Sequence, residues 1–155
     1  MSTVMTWQTE STSSDATEHL AETLGNQLRG GEVIELVSDL GGGKTTFVRG
    51  LARGMGSTDN VASPSFTISR VYKAGKLELR HFDFYRLSEA GLLEHELDEL
   101  MGDKDVVVVV EWADIIQHVL PPDHIRIVIK TTGDDSRQLT FEYPEKLAYL
   151  MEGLC

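Results

Sequence analysis

The segment Ser38-Asp39-Leu40-Gly41-Gly42-Gly43-Lys44-Thr45-Thr46 sets three glycines directly before a lysine and two hydroxyl residues. Glycine lets a backbone curl until successive N–H groups face inward around a phosphate, and a helix beginning at the lysine adds its positive end. Lys44 then offers a point charge to β and γ phosphates, and the Thr45 hydroxyl is a ligand for Mg²⁺ shared with those oxygens. The segment fits GxxxxGK[ST] except at the first position, where Ser38 stands in place of glycine. Asp39, Leu40, Gly41, Gly42, Gly43, Lys44, Thr45 and Thr46 are therefore the candidate residues for holding ATP or ADP.

Magnesium in such a site also needs an acidic group, normally at the tip of a neighbouring hydrophobic strand. Glu111 follows five consecutive valines and meets that description, which makes Thr45 and Glu111 the candidate metal ligands. Asp83, in His81-Phe82-Asp83-Phe84, falls on the side of a strand opposite the two phenylalanines and joins Glu111 as a candidate catalytic carboxylate. Plainer readings stand beside these: Glu111 as a solvated strand end, and Asp83 as an ordinary exposed residue. Ser63, Ser65 and Thr67 around Pro64 form a hydroxyl-rich turn, either a sensor of the γ-phosphate or simply a turn. His81 and Trp112 read as packing residues. The sequence holds neither a spaced Cys/His metal site nor a Ser/His/Asp triad.

The elements that must carry these residues follow from periodicity. At 155 residues one domain is expected, with residues 1–14 a flexible leader, Trp7 folded back, and residues 15–155 the domain itself. Asp15 is expected to cap a helix reaching about Leu28, and EVIELV reads as a buried strand running straight into the glycine loop. Phe47, Val48, Leu51, Ala52 and Met55 then mark one face of a helix that closes at Gly54–Gly56, with Gly50 expected to pack closely on the sheet. A hairpin turns at Ala74-Gly75, residues 88–101 are helical, and VVVVV is a central strand covered on both faces. IRIVIK and RQLTFEY make two more strands around Gly133-Asp134-Asp135, before a short final helix. The fold class is α/β: a single P-loop NTPase domain with a mixed, mainly parallel central sheet flanked by helices.

Charge and composition narrow the partners. A net charge of −11 opposes binding of nucleic acid by the chain alone, since that draws on Lys and Arg neutralising phosphates. Docking on a protein is the better expectation, with Arg49, Arg53, Arg70, Lys73, Lys76 and Arg80 as a local basic group in the middle third. No apolar run has the roughly 18 residues of a membrane span, so no membrane partner and a cytoplasmic location are expected. The single cysteine, Cys155, can neither form an internal disulfide nor supply a metal cluster, which agrees with a reducing compartment.

Taken together, LGGGKTTFVRGLARGMG, SPSFT, HFDFYRL and VVVEWAD resemble, in order and spacing, the bacterial TsaE (YjeE) family over roughly residues 15–140. The resemblance implies an ATPase that uses Mg²⁺ and supports transfer of threonylcarbamoyl to the adenosine beside the anticodon of tRNA. By the same resemblance that transfer falls to two partner proteins, TsaD and TsaB, with tRNA reached through them; no DNA partner is expected. It also implies that Lys44 and Thr45 serve phosphate and Mg²⁺, Glu111 the metal, and Asp83 hydrolysis. Trp112 would sit beside the site, Arg137 would match a late arginine near the nucleotide, and Asp15 would lie where the leading helix approaches it. Ser38, Gly42 and Ser65 depart from the family's usual Gly, Ala and Thr. A small-molecule kinase, a GTP-binding switch and a docking module with negligible turnover remain as alternatives, although no Asn-Lys-x-Asp segment for reading guanine is present.

Overall fold

The computed structural model describes residues 4–38, 43–61, 69–83, 91–113 and 117–154, with backbone alone for 91–94. Among these residues seven strands form one sheet: β1 (Val4–Ser11), β2 (Val33–Ser38), β3 (Ser69–Ala74), β4 (Leu77–Asp83), β5 (Val106–Glu111), β6 (Ile125–Thr131) and β7 (Arg137–Pro144). Their order across the sheet is β1-β7-β6-β2-β5-β4-β3. The four central strands, β6, β2, β5 and β4, run parallel, and β7 and β3 flank them antiparallel. β1 pairs antiparallel with β7 and so shares the direction of the central four, which gives five of seven strands one direction. Among the described residues the α-helices are α1 (Ser14–Gln27), α2 (Lys44–Met55) and α3 (Gly91–Leu100), and a 3-10 helix, Glu145–Met151, follows β7.

Burial explains the parallel centre. All six residues of β5 are buried, as an unbroken β-branched run demands when both faces are covered. On one face Ile34, Leu36, Val107, Val109, Ile127 and Phe141 pack with Leu24, Phe47, Val48 and Leu51 from α1 and α2. On the other, Val33, Phe82, Val108 and Val110 meet Leu97 of α3, Ala113 and Leu120. Among the described residues no helix is long and apolar enough to cross a membrane.

Three expectations need correction. The leader expected over residues 1–14 is a strand from Val4 onward, paired with β7 in full register from Val4↔Pro144 to Ser11↔Arg137. Its polar composition conceals this because an edge strand is held mainly by backbone hydrogen bonds; its side-chain anchor is Trp7, 5.4 Å from the Phe141 ring centroid. The cap of α1 is Ser13, not Asp15: the Ser13 hydroxyl accepts from the Ala16 N–H at 3.0 Å, leaving Asp15 exposed in the first turn. Gly50 faces α1 instead of the sheet, since a Cβ there would lie 2.2 Å from the Glu18 carbonyl oxygen and 2.7 Å from the Ala21 Cβ. Its missing side chain lets the two helices that cover the sheet touch at their backbones.

Of the basic residues in the middle third, Arg53 pairs with Glu18 and Glu22, and Lys73 and Arg80 both pair with Glu78.

Candidate functional site

β2 leads through α2 toward β4 and β5, whereas β5 leads to β6 on the other side of β2. The chain therefore changes direction across the sheet at the carboxyl end of β2, the place where open α/β sheets leave a crevice for ligands. α2 starts there. Its N-cap is Gly43 at φ 98°, a left-handed conformation suited to glycine, and among the described residues no side chain caps the first turn. That turn also holds no acidic residue. The helix thus presents uncapped amides and its positive end to the crevice, as anion binding requires. Thr45 and Thr46 are half-buried in this turn. Asp39, Leu40, Gly41 and Gly42, together with the Ser63–Thr67 turn, lie outside the described residues.

Glu111 ends β5 and is 3% exposed. One carboxylate oxygen, Oε2, is hydrogen-bonded to His81 Nε2, and the other, Oε1, lies 3.6 Å from Lys44 Nζ. At that distance the ion pair is a loose contact instead of a well-formed hydrogen bond. The Lys44 ammonium also sits 4.9 Å from the centre of the Trp112 ring, a cation–π contact. Trp112 itself has φ 57°, a strained value for a non-glycine residue directly beside the candidate carboxylate. Asp83 is half-buried and stands opposite Glu111 in the β4–β5 register. The strand tips and the helix start therefore bring Lys44, Glu111, Asp83 and Trp112 together.

Among the described residues no group of three or more His, Cys, Asp and Glu side chains is arranged to hold a metal ion. Magnesium in a phosphate site does not need such a cage, because one or two protein oxygens, substrate phosphates and water complete its shell. The hard oxygen donors of Glu111 and Thr45 suit that ion, and the loose hold on Glu111 Oε1 leaves an oxygen that can change partners.

Arg137 lies on the other flank of the helix start. With Ser14, Thr17, Gly43, Thr46 and Asp135 it lines a small recess, and its Nε is 3.5 Å from where a Cβ on Gly43 would stand. Its guanidinium donates to the carbonyls of Gly133, Asp134 and Ser136, which folds it over its own turn. Asp15 is next to Ser14 but does not line this recess.

Two features escaped the sequence reading. His81, a packing residue by sequence, is fully buried yet bonded to Glu111; its place two residues before Asp83, hence on the same strand face, is the signal in the sequence. Glu35, a charge inside EVIELV, lines a cavity of about 90 Å³ with Ser38, Lys44, Trp112 and Arg126. Gln117 Nε2 donates to its Oε2 at 3.0 Å, and His124 Nε2 meets its Oε1 at 3.2 Å. Burial alone would raise the Glu35 pKa, but hydrogen bonds from His124 and Gln117 and the charges of His124 and Arg126 outweigh it and hold the group below its ordinary value. His124 is held above its ordinary value by the Glu35 hydrogen bond, against burial, with help from the Pro121 carbonyl.

Comparison with known proteins fits this geometry. Residues 11–139 match the family model described as Threonylcarbamoyl adenosine biosynthesis protein TsaE. The chain is 42% identical over 127 residues to the tRNA threonylcarbamoyladenosine biosynthesis protein TsaE of Bacillus subtilis, covering 82% of this chain and 79% of that one. It is 35% identical over 135 residues to the protein of the same name in Treponema pallidum, covering 84% and 96%. The crystal structure of Bacillus subtilis YdiB superposes with a TM-score of 0.79 at 36% identity, over 98% of this chain and 95% of that one. A model match across most of the chain, relatives well above 30% identity and the same fold together lead to one conclusion: this chain belongs to the TsaE family of tRNA threonylcarbamoyladenosine biosynthesis proteins.

Proposed function

We propose that this chain binds ATP with Mg²⁺ at the start of α2 and hydrolyses it to ADP and phosphate, acting beside TsaD and TsaB as they transfer threonylcarbamoyl to tRNA. The observation that carries this reading is the junction of an uncapped helix start with Glu111, whose Oε1 is held only loosely by Lys44 at 3.6 Å. In it the amides of Gly43 to Thr46 meet the phosphates together with residues Asp39 to Gly42, and the Lys44 ammonium moves from Glu111 and Trp112 onto the β and γ oxygens. Thr45 and Glu111 hold Mg²⁺, which when bound neutralises charge on the phosphates. Asp83, opposite Glu111 in the register, orients the attacking water. Arg137 meets the nucleotide from the recess beside Gly43, and Asp15, next to Ser14 in the first turn of α1, meets it from that helix. A net charge of −11 agrees with a protein that reaches tRNA through partners, in the cytoplasm, and does not grip it directly.

The test is calorimetry and phosphate release on the purified chain. ATP with Mg²⁺ is expected to bind; Lys44→Ala is expected to abolish binding, and Asp83→Ala to spare binding while removing hydrolysis. Adding TsaD and TsaB is expected to raise the rate of phosphate release. Unchanged hydrolysis in both variants, or transfer of labelled phosphate to a metabolite in place of its release, overturns the reading.

A further inference from the structure

His81 is fully buried on β4, two residues before Asp83 and on the same face. Its two ring nitrogens have different surroundings. Nε2 is bonded to Glu111 Oε2, whereas Nδ1 is buried with no hydrogen-bond partner among the described residues. An N–H at Nδ1 would be a buried donor with nothing to receive it, a costly arrangement, whereas an unprotonated nitrogen there loses less. The ring proton therefore belongs on Nε2, which donates to the carboxylate. The shape of the site gives this bond a consequence. A glutamate side chain has several rotatable bonds, and at a strand tip with only a 3.6 Å contact to Lys44 its second oxygen would not be fixed. A donor anchored in the core holds one oxygen and so sets the direction of the other.

We propose that His81 is a positioning residue: by donating from Nε2 to one oxygen of Glu111, it presents the other to a divalent cation at the start of α2. The proposal rests on the reading of Glu111 as a metal ligand, and it adds a residue that touches neither metal nor nucleotide. Outer-shell partners of this kind alter metal affinity by roughly 10- to 100-fold when lost.

Two variants separate positioning from packing. His81→Gln keeps an N–H donor near the position of Nε2; His81→Leu keeps the burial without the donor. Mn²⁺ affinity in the presence of ADP, read by electron paramagnetic resonance, is expected to stay within about threefold of the parent in His81→Gln and to fall at least about tenfold in His81→Leu. Metal-free ADP affinity is expected to change little in either. Parent-like Mn²⁺ affinity in a folded His81→Leu chain overturns the proposal, as does an equal loss in both variants. Glu111→Gln is the control: if it leaves Mn²⁺ affinity unchanged, the metal reading of Glu111 fails and takes the proposal with it. If it weakens Mn²⁺ and His81→Leu does not, the proposal alone fails. Should His81→Leu not fold, nitrogen-15 NMR of the parent still decides, because a proton found on Nδ1 instead of Nε2 overturns the proposal.

Discussion

Glu35 and Glu111 lie one register step apart on neighbouring parallel strands, Glu35 opposite Val110 and Glu111 opposite Leu36, so their side chains leave opposite faces of the sheet. Both are nearly inaccessible, 5% and 3% exposed. They differ in how their oxygens are used. Glu35 has a close partner on each oxygen, Gln117 on one and His124 on the other, with Arg126 3.8 Å away. Among the described residues Glu111 has a close partner on one oxygen only; the other faces Lys44 across 3.6 Å. A saturated buried carboxylate ties elements together, here β2 to the segment that returns the chain to β6. A half-satisfied one, beside an uncapped helix start, is where an incoming cation and anion find partners without first breaking a good bond.

The two glutamates are expected to respond in opposite ways to loss of charge. Glu111→Gln is expected to lower ATP hydrolysis on the order of a hundredfold, since it weakens the proposed metal ligand while keeping an acceptor for His81. Its unfolding free energy is expected to move by no more than about 1 kcal/mol, because the Lys44 stem can swing the freed ammonium toward water. Steady-state phosphate release and urea titration measure the two quantities on one sample. A large loss of stability with normal turnover reverses the assignment.

Glu35→Leu is expected to do the opposite. It strands His124 and Arg126 beside an apolar side chain, and losing one member of a buried ion pair costs about 3–5 kcal/mol. Arg126 is 44% exposed and can turn to solvent, so the expected loss is smaller, about 2 kcal/mol by urea titration, with Mg²⁺-dependent ATP affinity within about threefold of the parent. Equal or greater stability in this variant means that the cluster is not a tie at all.

Why one glutamate was legible in the sequence and the other was not follows from where their partners lie. Glu111 declares itself through its own neighbours, five valines and a strand end, and the helix start at Gly43–Thr46 through adjacent glycines and lysine. Glu35 is visible only as a charge in an apolar run; what makes it a tie sits at positions 117 and 124 and reaches it only when the chain crosses back to β6. His81 needed the β4–β5 register before its bond to Glu111 made sense. β1 was hidden because strand pairing with β7 uses backbone groups that every residue carries, and only Trp7 hinted at it. Gly50 was rightly read as a close approach but matched to the sheet, because residue spacing reveals a face without naming what covers it. The fold class was readable because periodicity is local, whereas the interactions that tune individual side chains are long-range.

Protonation of the Glu35 cluster gives a smaller effect. Glu35 has a folded pKa below its ordinary 4.5, so its contribution to stability is complete above about 4.5 and is lost as pH falls through the lower folded value. His124 has a folded pKa above its ordinary 6.5, so its contribution is complete below about 6.5 and is lost as pH rises through the higher folded value. Both are whole only between about pH 4.5 and 6.5. The chain's net charge of −11 adds its own pH dependence through self-repulsion, so the quantity to follow is the stability difference between the parent and Glu35→Gln/His124→Gln, measured by urea titration from pH 4 to 9. That difference is expected to plateau inside the window and to shrink on both sides, with the alkaline decline set by His124. A difference that instead grows steadily above pH 6.5 would mean that His124 is neutral when it meets Glu35, leaving the cluster a set of hydrogen bonds without an ion pair.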